Sequence, residues 1–525
     1  MSDTLPDVTS LPLYLRDELF ACYVPNAWAQ RNAFRTTSPA VATEPALPDF
    51  AAVRDKLPQP NWAGHGPAID CYWKAWELAF SNLGRPTQEN SFVASYIDTA
   101  FNGHLFMWDS VFILMFGRYG SRVFDFQRTL DNLYANQHVD GFICREIDIA
   151  DGQDCFHRHD PDSTGPNALA WSEWEHFLNF NDRDRLERVF PVLVAYHQWM
   201  RDYRTWPDGT YWSCGWAVGM DNQPRVPAGY SPAHSPAHQT WMDACFQAIL
   251  SARTLAAMAE LLHEPDVRRE MLDEADRLDR IVNENMWDDR TACYYDLRRT
   301  GERSDVMTLG AYWALLAEAV PDDRLPRFVG HLDDPAHFNR PHRVPSFPAS
   351  QPGYQADGGY WRGGIWPSTQ YMVLRGLTRT GHDQLAYDIA RNHVDNVVEV
   401  FEQTGTLWEN YAPETAAPGN PAKPDFVGWA GLGPIAILFE YVFGLRPDAA
   451  ANRLVWDVRQ LEAHGVNRYP FDRDNLLDLH CEARQRAEDR PVIHATSRTP
   501  IELEIRWPGG REVVTTPHPQ LQAPG

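Results

Sequence analysis

Two acidic residues, each in a loop rich in aromatic and amide side chains, are the residues of this sequence best suited to chemistry. Asp221 lies in the segment GMDNQPR, and Glu409 lies in GTLWENY. Between them the segment GGYWRGGIWPSTQY supplies flat aromatic rings and an arginine. Cleavage of a glycosidic bond needs two separated carboxyl groups, and sugar rings stack on aromatic faces. The sequence therefore predicts a sugar-cleaving enzyme.

Asp221 has neighbours that could make it a general acid. Such an acid must keep its proton near neutral pH, which takes burial or a nearby negative charge, and Trp216 and Met220 can supply apolar surroundings. Asn222 and Arg225 can hydrogen-bond a sugar or orient the acid. The segment also fits a purely structural Asx-turn, so it indicates catalysis only together with the other motifs.

Glu409 is placed unlike the solvated glutamates of helix surfaces. It lies between Trp408 and Asn410 and is followed by Tyr411, in a segment of turn-forming residues. A role as a helix cap or salt-bridge partner is the alternative. We expect Glu409 to be the second carboxyl group of the site and Tyr411 to contact the substrate.

Further aromatic residues could bind a sugar ring. Trp361 and Trp366 offer stacking faces, and Arg362 offers hydrogen-bond donors. Trp108 and Asp109 lie where an apolar helix is predicted to begin, in the segment FMWDSVF. We expect these residues to contact the substrate, although Asp109 could instead cap the helix.

Composition restricts the possible partners. Acidic residues outnumber Lys and Arg by 71 to 47, for a net charge of −24, so the surface repels phosphate backbones and anionic membranes. We expect a small-molecule carbohydrate as the substrate and neither nucleic acid nor a membrane as a partner. The sequence has no nucleophile elbow, Walker-type loop or dinucleotide fingerprint, and no cofactor is predicted.

The cysteines indicate a reducing compartment. All eight are scattered without a CxxC pair or tight cluster, which is typical of buried free thiols. The N-terminal residues show no basic start followed by an apolar run, so we expect a cytoplasmic protein without a secretory signal. One apolar segment, VGWAGLGPIAILFEYVFGL, contains Pro434 and Glu440 and is predicted to be a buried helix and not a membrane span.

Histidine-containing segments offer weak alternatives for a metal site. His234 and His238 are four residues apart, but the prolines at positions 232 and 236 exclude the helix that would align them. The loop HRHD, with His157 and His159, could hold a metal. No metal is predicted for the site of Asp221.

A helical period dominates the sequence from about residue 66. Apolar residues recur at spacings of three and four in segments 246–262 and 266–287, and Pro265 is predicted to end the first of these helices. Eleven or twelve such helices, without alternating strands, exclude a TIM barrel and a doubly wound sheet. They favour an all-α closed array of helical hairpins whose long loops gather at one end. Trp171, Trp174 and Glu175 are interpreted as core and helix surface.

Three regions are predicted. Residues 1–65 form an N-terminal extension, residues 66–447 form the helical catalytic domain, and residues 448–525 form a small β-rich C-terminal domain. Short runs with period-two alternation, such as IELEIRWP, indicate the last of these.

The ordered motifs FMWDSVF, GMDNQPR, YWRGGIWPSTQY, WENYAPE and DFVGWAGLGP resemble the catalytic domain of glycoside hydrolase family 63, over roughly residues 100–446. They are similar, more distantly, to family 37 trehalases and to bacterial mannosylglycerate hydrolase-like enzymes. The resemblance implies an (α/α)6 barrel built of six hairpins and inverting hydrolysis of an α-glycoside, often a glucoside. We expect no counterpart here of the large N-terminal β domain of many family 63 members, and we expect the C-terminal β region to be distinct from their parts.

The resemblance also implies roles for individual residues. The family's general acid falls on Asp221, and its general base falls on Glu409. The residues implied to contact the sugar or to form an aromatic wall are Trp108, Asp109, Trp361, Arg362 and Trp366.

Three other activities remain as alternatives. A sugar epimerase on a similar barrel would use histidines, for which His104, His138 and His342 are the candidates. A glycoside phosphorylase would need a basic phosphate pocket in place of the second carboxylate. A non-catalytic carbohydrate-binding protein would keep the aromatic residues without needing both Asp221 and Glu409.

Overall fold

Helices are the main regular structure of the chain up to Val442 in the computed structural model, which describes residues 24–41 and 43–516. The principal helices are α1 Gly66–Ser81, α2 Met107–Gly117, α3 Thr129–Ala135, α4 Leu169–Phe180, α5 Arg183–Tyr203, α6 Met242–Leu261, α7 Pro265–Ile281, α8 Trp313–Leu316, α9 Leu325–Gly330, α10 Pro367–Arg379, α11 Asp383–Thr404 and a π-helix, Gly433–Val442. Shorter turns of helix are Ala29–Arg31, Ala33–Thr36, Phe50–Val53, Arg54–Lys56, Arg118–Gly120, Phe126–Arg128, Gly215–Val218, Val282–Met286, Leu309–Tyr312, His331–Asp333, Tyr360–Arg362, Trp429–Leu432 and Ala449–Ala451.

Within the described chain, six helical segments form a closed ring. Helix α2 packs against α4, α4 against α6, α6 against α8, and α8 against α10. The turn Trp429–Leu432, which leads into the π-helix, packs against both α10 and α2 and closes the ring. Outside it, α5 contacts α4 and α6, α7 contacts α6, and α11 contacts α10 and the π-helix. The predicted helical character of this region is confirmed.

The predicted hairpin of two strongly amphipathic helices is confirmed as α6 and α7, with one difference at the turn. Pro265 begins α7 and does not end α6, since proline is well tolerated in the first helical turn, where its missing N–H has no partner to lose. Helix α7 buries Val267, Met271, Ala275 and Leu278. Their spacing of three and four residues places them on one helical face.

The β region consists of two four-stranded sheets. Its strands are β1 Gln59–Trp62, β2 Leu445–Asp448, β3 Arg453–Asp457, β4 His464–Phe471, β5 Asn475–Cys481, β6 Ile493–Ser497, β7 Glu502–Trp507 and β8 Gly510–Thr515. One sheet has the order β1-β4-β5-β6 with antiparallel pairs, and the other has the order β2-β3-β7-β8, in which β3 and β7 are parallel. The predicted β region after the helices is confirmed.

The β region extends beyond the predicted residues 448–525. Strand β2 begins at Leu445, within the predicted helical domain. Strand β1 belongs to the predicted N-terminal extension, and its Trp62 pairs with His464 of β4. The segment before α1 therefore supplies an edge strand of a C-terminal sheet. The other domain limits stay predictions.

Four short ladders of two strands join loops between the helices. They are Leu83–Gly84 with Tyr96–Ile97, His104–Phe106 with Glu146–Asp148, Gln239–Thr240 with Leu297–Arg298, and Trp287–Asp288 with Cys293–Tyr294.

The apolar segment 427–445 forms a buried part of the ring, as predicted. Every residue of the π-helix is buried, including Glu440. The Glu440 carboxylate lies 2.5 Å from Arg118 and accepts hydrogen bonds from Tyr119 and Tyr371. In the part of the chain that the structure describes, no helix combines the length and the apolar character needed to cross a membrane.

The two ends of the ring have different surroundings. At the C-terminal end of α4, the side-chain amide of Asn179 donates to the carbonyl of Pro470 in β4, at 3.2 Å. The β region thus packs near the ends of ring helices. Trp108 and Trp366 lie instead where α2 and α10 begin. Loops at these N-terminal ends form the rim that carries the predicted site.

Candidate active site

The N-terminal rim of the ring contains a cavity of about 340 Å³, and both predicted catalytic acids line it. Half of the lining residues are aromatic, which gives the cavity flat apolar walls suited to a sugar ring. The lining residues are Phe101, Asn102, His104, Phe106, Trp108, Asp109, Arg145, Glu146, Phe156, Gly165, Trp216, Gly219, Asp221, Tyr360, Trp361, Glu409, Phe426 and Trp429.

Asp221 is positioned by the single helical turn Gly215–Val218. The turn ends at Gly219, which has a φ of +78°. A side-chain carbon at Gly219 would lie 2.7 Å from the indole of Trp108, so glycine is required both for the φ angle and for the close approach. The turn also places Trp216 on the cavity wall beside Asp221.

Asn222 connects the Asp221 loop to the aromatic segment. Its side-chain amide donates to the carbonyl of Gly359 at 3.0 Å and accepts from the N–H of Trp361 at 3.0 Å. Asn222 does not line the cavity. The structure therefore gives it a positioning role, and its predicted contact with the substrate stays a prediction.

Arg225 anchors the other side of the Asp221 loop. It is buried, lies over the ring of Trp241, and forms ion pairs with Asp243 at 2.5 Å and Asp296 at 2.7 Å. The guanidinium N–H groups that the sequence predicts to hydrogen-bond a sugar are therefore paired with two carboxylates. Like Asn222, Arg225 lies outside the cavity lining and holds the loop.

Glu409 is held by backbone and side-chain contacts from three directions. Its N–H donates to the carbonyl of Lys423 at 2.9 Å, and its carbonyl accepts from the Trp429 indole at 2.7 Å. Its carboxylate accepts from the Tyr360 hydroxyl at 3.2 Å and from the N–H of Lys423 at 3.3 Å. These contacts fix the carboxyl group at the cavity wall.

Trp108 and Asp109 lie in the first turn of α2 and line the cavity. The strand His104–Phe106, which leads into α2, pairs with Glu146–Asp148 and places Phe106 opposite Glu146. This ladder brings a segment some forty residues away to the rim, because α3 lies between the two strands in the sequence. Asp109 is almost fully buried.

The predicted aromatic wall has two layers. Trp361 lines the cavity, and Trp366 lies behind it with parallel rings 3.8 Å apart. The Trp366 indole donates to the carbonyl of Tyr360 at 3.2 Å. Trp366 therefore supports the wall from behind, and Arg362 does not line the cavity.

Tyr411 lies beneath the site. It is fully buried, and its backbone exchanges hydrogen bonds with Ile365. Its hydroxyl accepts from the N–H of Trp408 at 3.3 Å. Tyr411 thus ties the Glu409 loop to the aromatic segment, and it is not among the lining residues.

Three carboxyl groups of the cavity have raised pKa values. Burial raises the pKa of Asp221 to about 6, against a lowering by the Arg145 charge. Burial raises the pKa of Glu409 to about 7, with the Tyr360 hydrogen bond opposing the rise and the Asp221 charge adding to it. Burial and the nearby charges of Glu146 and Glu409 keep the pKa of Asp109 well above its usual value. Asp109 therefore holds its proton more strongly than an exposed aspartate does.

The two central acids titrate as a pair. With pKa values of about 6 and about 7, they hold about one proton between them in this range of pH. Because the charge of Asp221 raises the pKa of Glu409, protonation of one acid depends on the state of the other.

Sequence reasoning missed several polar lining residues. Arg145 and Glu146 come from the segment CREID, and Tyr360 comes from the predicted aromatic segment. Tyr360 could have been included with its neighbour Trp361. Nothing in the sequence marks Arg145 or Glu146, because the ladder to the strand before α2 brings them to the cavity.

The histidines of the epimerase alternative are dispersed. His104 lines the cavity. His138 is buried in a hydrogen bond with Asp154, and His342 is buried in a hydrogen bond with His393. Of the three candidates, His104 alone could touch a substrate in this cavity, so the structure does not bring an acid–base pair of histidines together.

Three possible metal ligands meet beside the polar corner of the cavity. Among the described residues, the ligand atoms of His104, Glu146 and Cys155 form one group within 4.8 Å, and the His157–His159 loop is not part of it. Glu146 is already bound to Arg145 and to His104. Burial raises the pKa of the Cys155 thiol to about 12, so it stays protonated at neutral pH.

An aromatic cavity lined by Asp221 and Glu409 suits a glycoside hydrolase, and comparison with known proteins identifies the chain as one. The chain belongs to the family of mannosylglycerate hydrolase MGH1-like glycoside hydrolase domains, whose model matches residues 102–430. The matched residues contain Asp221, Glu409 and the aromatic segment between them.

The chain matches its curated relatives over only part of their length. An uncharacterised protein of Borreliella burgdorferi is 22% identical over 336 residues, which cover 62% of this chain and 69% of the relative. A probable mannosyl-oligosaccharide glucosidase of Schizosaccharomyces pombe is 27% identical over 285 residues. That match covers 47% of this chain, and the chain spans only 34% of the glucosidase.

Solved structures show the same fold at low sequence identity. A family 63 mannosylglycerate hydrolase from Thermus thermophilus, in complex with glucose, is 22% identical with a TM-score of 0.56 and covers 70% of this chain and 99% of its own. A family 78 rhamnosidase of Bacillus sp. GL1 is 14% identical with a TM-score of 0.63 and covers 86% of this chain and 42% of its own. The wider coverage of the rhamnosidase shows that its fold resembles more of this chain than the helical domain alone.

Proposed function

We propose that this protein is an inverting hydrolase of small α-glycosides, α-glucosides foremost, with Asp221 as general acid and Glu409 as general base. We propose further that its ring of helices is an (α/α)6 barrel and that it works in the cytoplasm. Seven cysteines of the described residues are free, which suits a reducing compartment. The glucosidase relative and the glucose-bound neighbour support a glucoside as the substrate.

One observation carries the catalytic proposal. Asp221 and Glu409 line the same aromatic cavity, and the charge of Asp221 raises the pKa of Glu409, so the two groups are electrostatically coupled. In the proposed reaction Asp221 protonates the leaving oxygen while Glu409 takes a proton from water on the opposite face of the sugar. An inverting enzyme needs room for that water and a carboxyl separation of about 6.5–9.5 Å.

Contacts around the two acids suit these roles. The Tyr360 hydroxyl and the N–H of Lys423 donate to the Glu409 carboxylate and favour its charged form, as a base requires. The Asp109 carboxyl group can hydrogen-bond a sugar hydroxyl, and the Trp361 face can stack on the ring. Closing the cavity over a sugar removes water and strengthens each of these interactions.

The stereochemical test uses α-glucosides and α-mannosides with the product followed by proton NMR. We expect the β-anomer of the released sugar to form first. Initial release of the α-anomer would overturn inversion. Isomerised sugar without cleavage would favour the epimerase, and turnover that requires inorganic phosphate would favour a phosphorylase.

The roles of the two acids can be separated with α-glucosyl fluoride, since fluoride leaves without being protonated. We expect Asp221→Asn to keep turnover of the fluoride while losing turnover of an alkyl glucoside. Glu409→Gln should lose both, because the attacking water still needs a base. The reverse pattern would exchange the two roles. Glu402→Gln, an exposed change on α11, is the matched control and should keep both activities.

A further inference from the structure

Arg145, which lines the cavity, forms an ion pair with the neighbouring Glu146. A guanidinium nitrogen of Arg145 lies 2.5 Å from one carboxylate oxygen of Glu146. The other oxygen of Glu146 is 2.9 Å from the Nδ1 atom of His104. Among the described lining residues, Arg145 is the one arginine or lysine, whereas four carboxyl groups line the same cavity.

Arg145 is also fixed in position. Its guanidinium lies 4.6 Å from the ring centre of Phe156 and 4.7 Å from that of Trp216. Stacking of this kind and the ion pair with Glu146 hold a planar guanidinium in one orientation. Arg145 would have to give up both contacts to turn fully toward a new anion.

Arg145 lies against the helical turn that positions Asp221. Trp216, on which Arg145 stacks, belongs to the helical turn that positions Asp221. After burial, which raises the pKa of Asp221, the Arg145 charge is the main influence that lowers it. Glu409 takes its hydrogen bonds from Tyr360 and Lys423 instead. Since the general acid protonates the leaving oxygen, groups beside Asp221 meet the leaving group.

We propose that the Arg145–Glu146 ion pair makes this enzyme select glycosides with a neutral leaving group over those whose leaving group carries a carboxylate, with Glu146 as the residue that determines this specificity. A carboxylate entering beside Asp221 must compete with Glu146 for Arg145 and is repelled by the other acids of the wall. The faces of Phe156 and Trp216 suit a neutral polyol or sugar.

This inference rests on the proposed hydrolysis, and one pair of substrates tests it. α-Glucosylglycerol and α-glucosylglycerate differ at one carbon, which is a hydroxymethyl group in the first and a carboxylate in the second. The corresponding mannosides form a second pair. We expect the wild-type enzyme to cleave the neutral member with a kcat/KM at least about tenfold higher, the size of one hydrogen bond to a charged group. This preference should narrow as salt is added.

Glu146→Gln tests the residue itself. The change keeps the shape of the side chain and leaves Arg145 without its charged partner, so we expect the glycerate-to-glycerol ratio of kcat/KM to rise by about tenfold. The ratio is measured within one enzyme and does not depend on how much overall activity the variant retains. Glu402→Gln removes the same charge from the surface of α11 and should leave the ratio unchanged.

The outcomes separate this inference from the hydrolysis on which it rests. Cleavage of both members with equal efficiency, or a preference for glycerate, in the wild-type enzyme would overturn the selection and leave hydrolysis standing. A ratio that Glu146→Gln leaves unchanged would remove Glu146 as its cause. If neither the glucosides nor the mannosides are cleaved, the proposed hydrolysis and the inference fall together.

Discussion

The ring of helices buries acidic side chains at both ends, and the two groups behave in opposite ways. Near the C-terminal ends of the ring helices, Glu175 is ion-paired with Arg375 and lies 3.6 Å from Arg118. Burial would raise the pKa of Glu175, but the surrounding arginines outweigh it and lower the pKa to about 2. At the N-terminal rim, Asp221 and Glu409 have no arginine partner among the described residues, and their pKa values rise to about 6 and 7.

The comparison shows that burial alone does not decide what an acid can do. The two groups of acids lie close together. Asp109 at the rim and Arg118 in the arginine-paired group are nine residues apart, which is about 14 Å along the axis of α2 and the turn that follows it. A buried carboxylate that is paired with arginine keeps its charge and links helices. A buried carboxylate without such a partner holds its proton loosely near neutral pH, which is the property that acid–base catalysis needs.

The largest effect is expected from the unpaired acids. Asp221→Asn and Glu409→Gln should each lower kcat for an alkyl α-glucoside by about a thousandfold or more, since each removes a proton-transfer step. Circular dichroism should show unchanged folding, because neither side chain holds helices together. An activity within tenfold of wild type in either variant would remove that residue from the mechanism.

Substitutions in the arginine-paired group should lower stability and leave kcat unchanged. Arg118→Met leaves Glu440 and Glu175 with less positive charge in the buried interior, and we expect the free energy of unfolding in urea to fall by about 3–5 kcal/mol. The folded fraction should keep its kcat. Arg486→Met is the control, since the exposed pair of Arg486 with Asp489 should contribute less than about 1 kcal/mol. Equal losses in the two variants would contradict a structural role for the Arg118 cluster.

Stability should also depend on pH in opposite directions at the two ends. The pKa of Glu409 is raised in the folded state, so stability falls as the pH rises from about 4.5 to about 7, and the full loss is present above pH 7. Glu409→Gln should therefore raise the free energy of unfolding by about 2–3 kcal/mol at pH 8 and by little at pH 4.5. Thermal unfolding at the two pH values measures this, and a variant less stable than wild type at pH 8 would refute it.

Glu175 gives the contrasting case. Its folded-state pKa is depressed, so its contribution to stability is present above about pH 4.5 and is lost as the pH falls toward 2. Glu175→Gln should be less stable than wild type at pH 7, and the difference should shrink in acid. A difference that grows as the pH falls would contradict the assignment.

Much of this contrast could not be predicted from the sequence. Periodicity predicted the hairpin of α6 and α7 and the helical character of the region, because apolar spacing is a local signal. Glu175 was interpreted as part of a core and helix surface, and its burial depends on arginines contributed by segments 57 and 200 residues away. A local sequence pattern does not show which charged side chains will pair across a closed ring of helices.

The site was predicted in outline for a similar reason. Motifs identified Asp221, Glu409, Trp108 and Trp361, which all line the cavity. The same motifs suggested that Arg225 meets the substrate, whereas the structure pairs it with two buried aspartates. A motif marks residues that act together, but the contacts of each side chain decide whether it touches the substrate or supports one that does.

The smallest expected effect concerns the one arginine among the described residues of the cavity wall. The Arg145 charge lowers the pKa of Asp221, and the Glu146 charge raises it. The kcat/KM for an α-glucoside should follow a bell-shaped curve whose apparent pKa values belong to the pair of acids. Arg145→Gln should move this curve to higher pH by less than about one unit, because the Glu146 charge opposes part of the effect of the arginine on Asp221. Glu146→Gln should move it to lower pH. Arg290→Gln, on an exposed loop, should leave it in place.

Two shifts in the same direction would show that the curve responds to disruption of the ion pair and not to its charges. Opposite shifts would show that Arg145 adjusts the pKa of a catalytic carboxyl group without holding that group permanently in its charged form. Its effect on Asp221 would then be intermediate between the strong arginine pairing of Glu175 and the absence of an arginine partner.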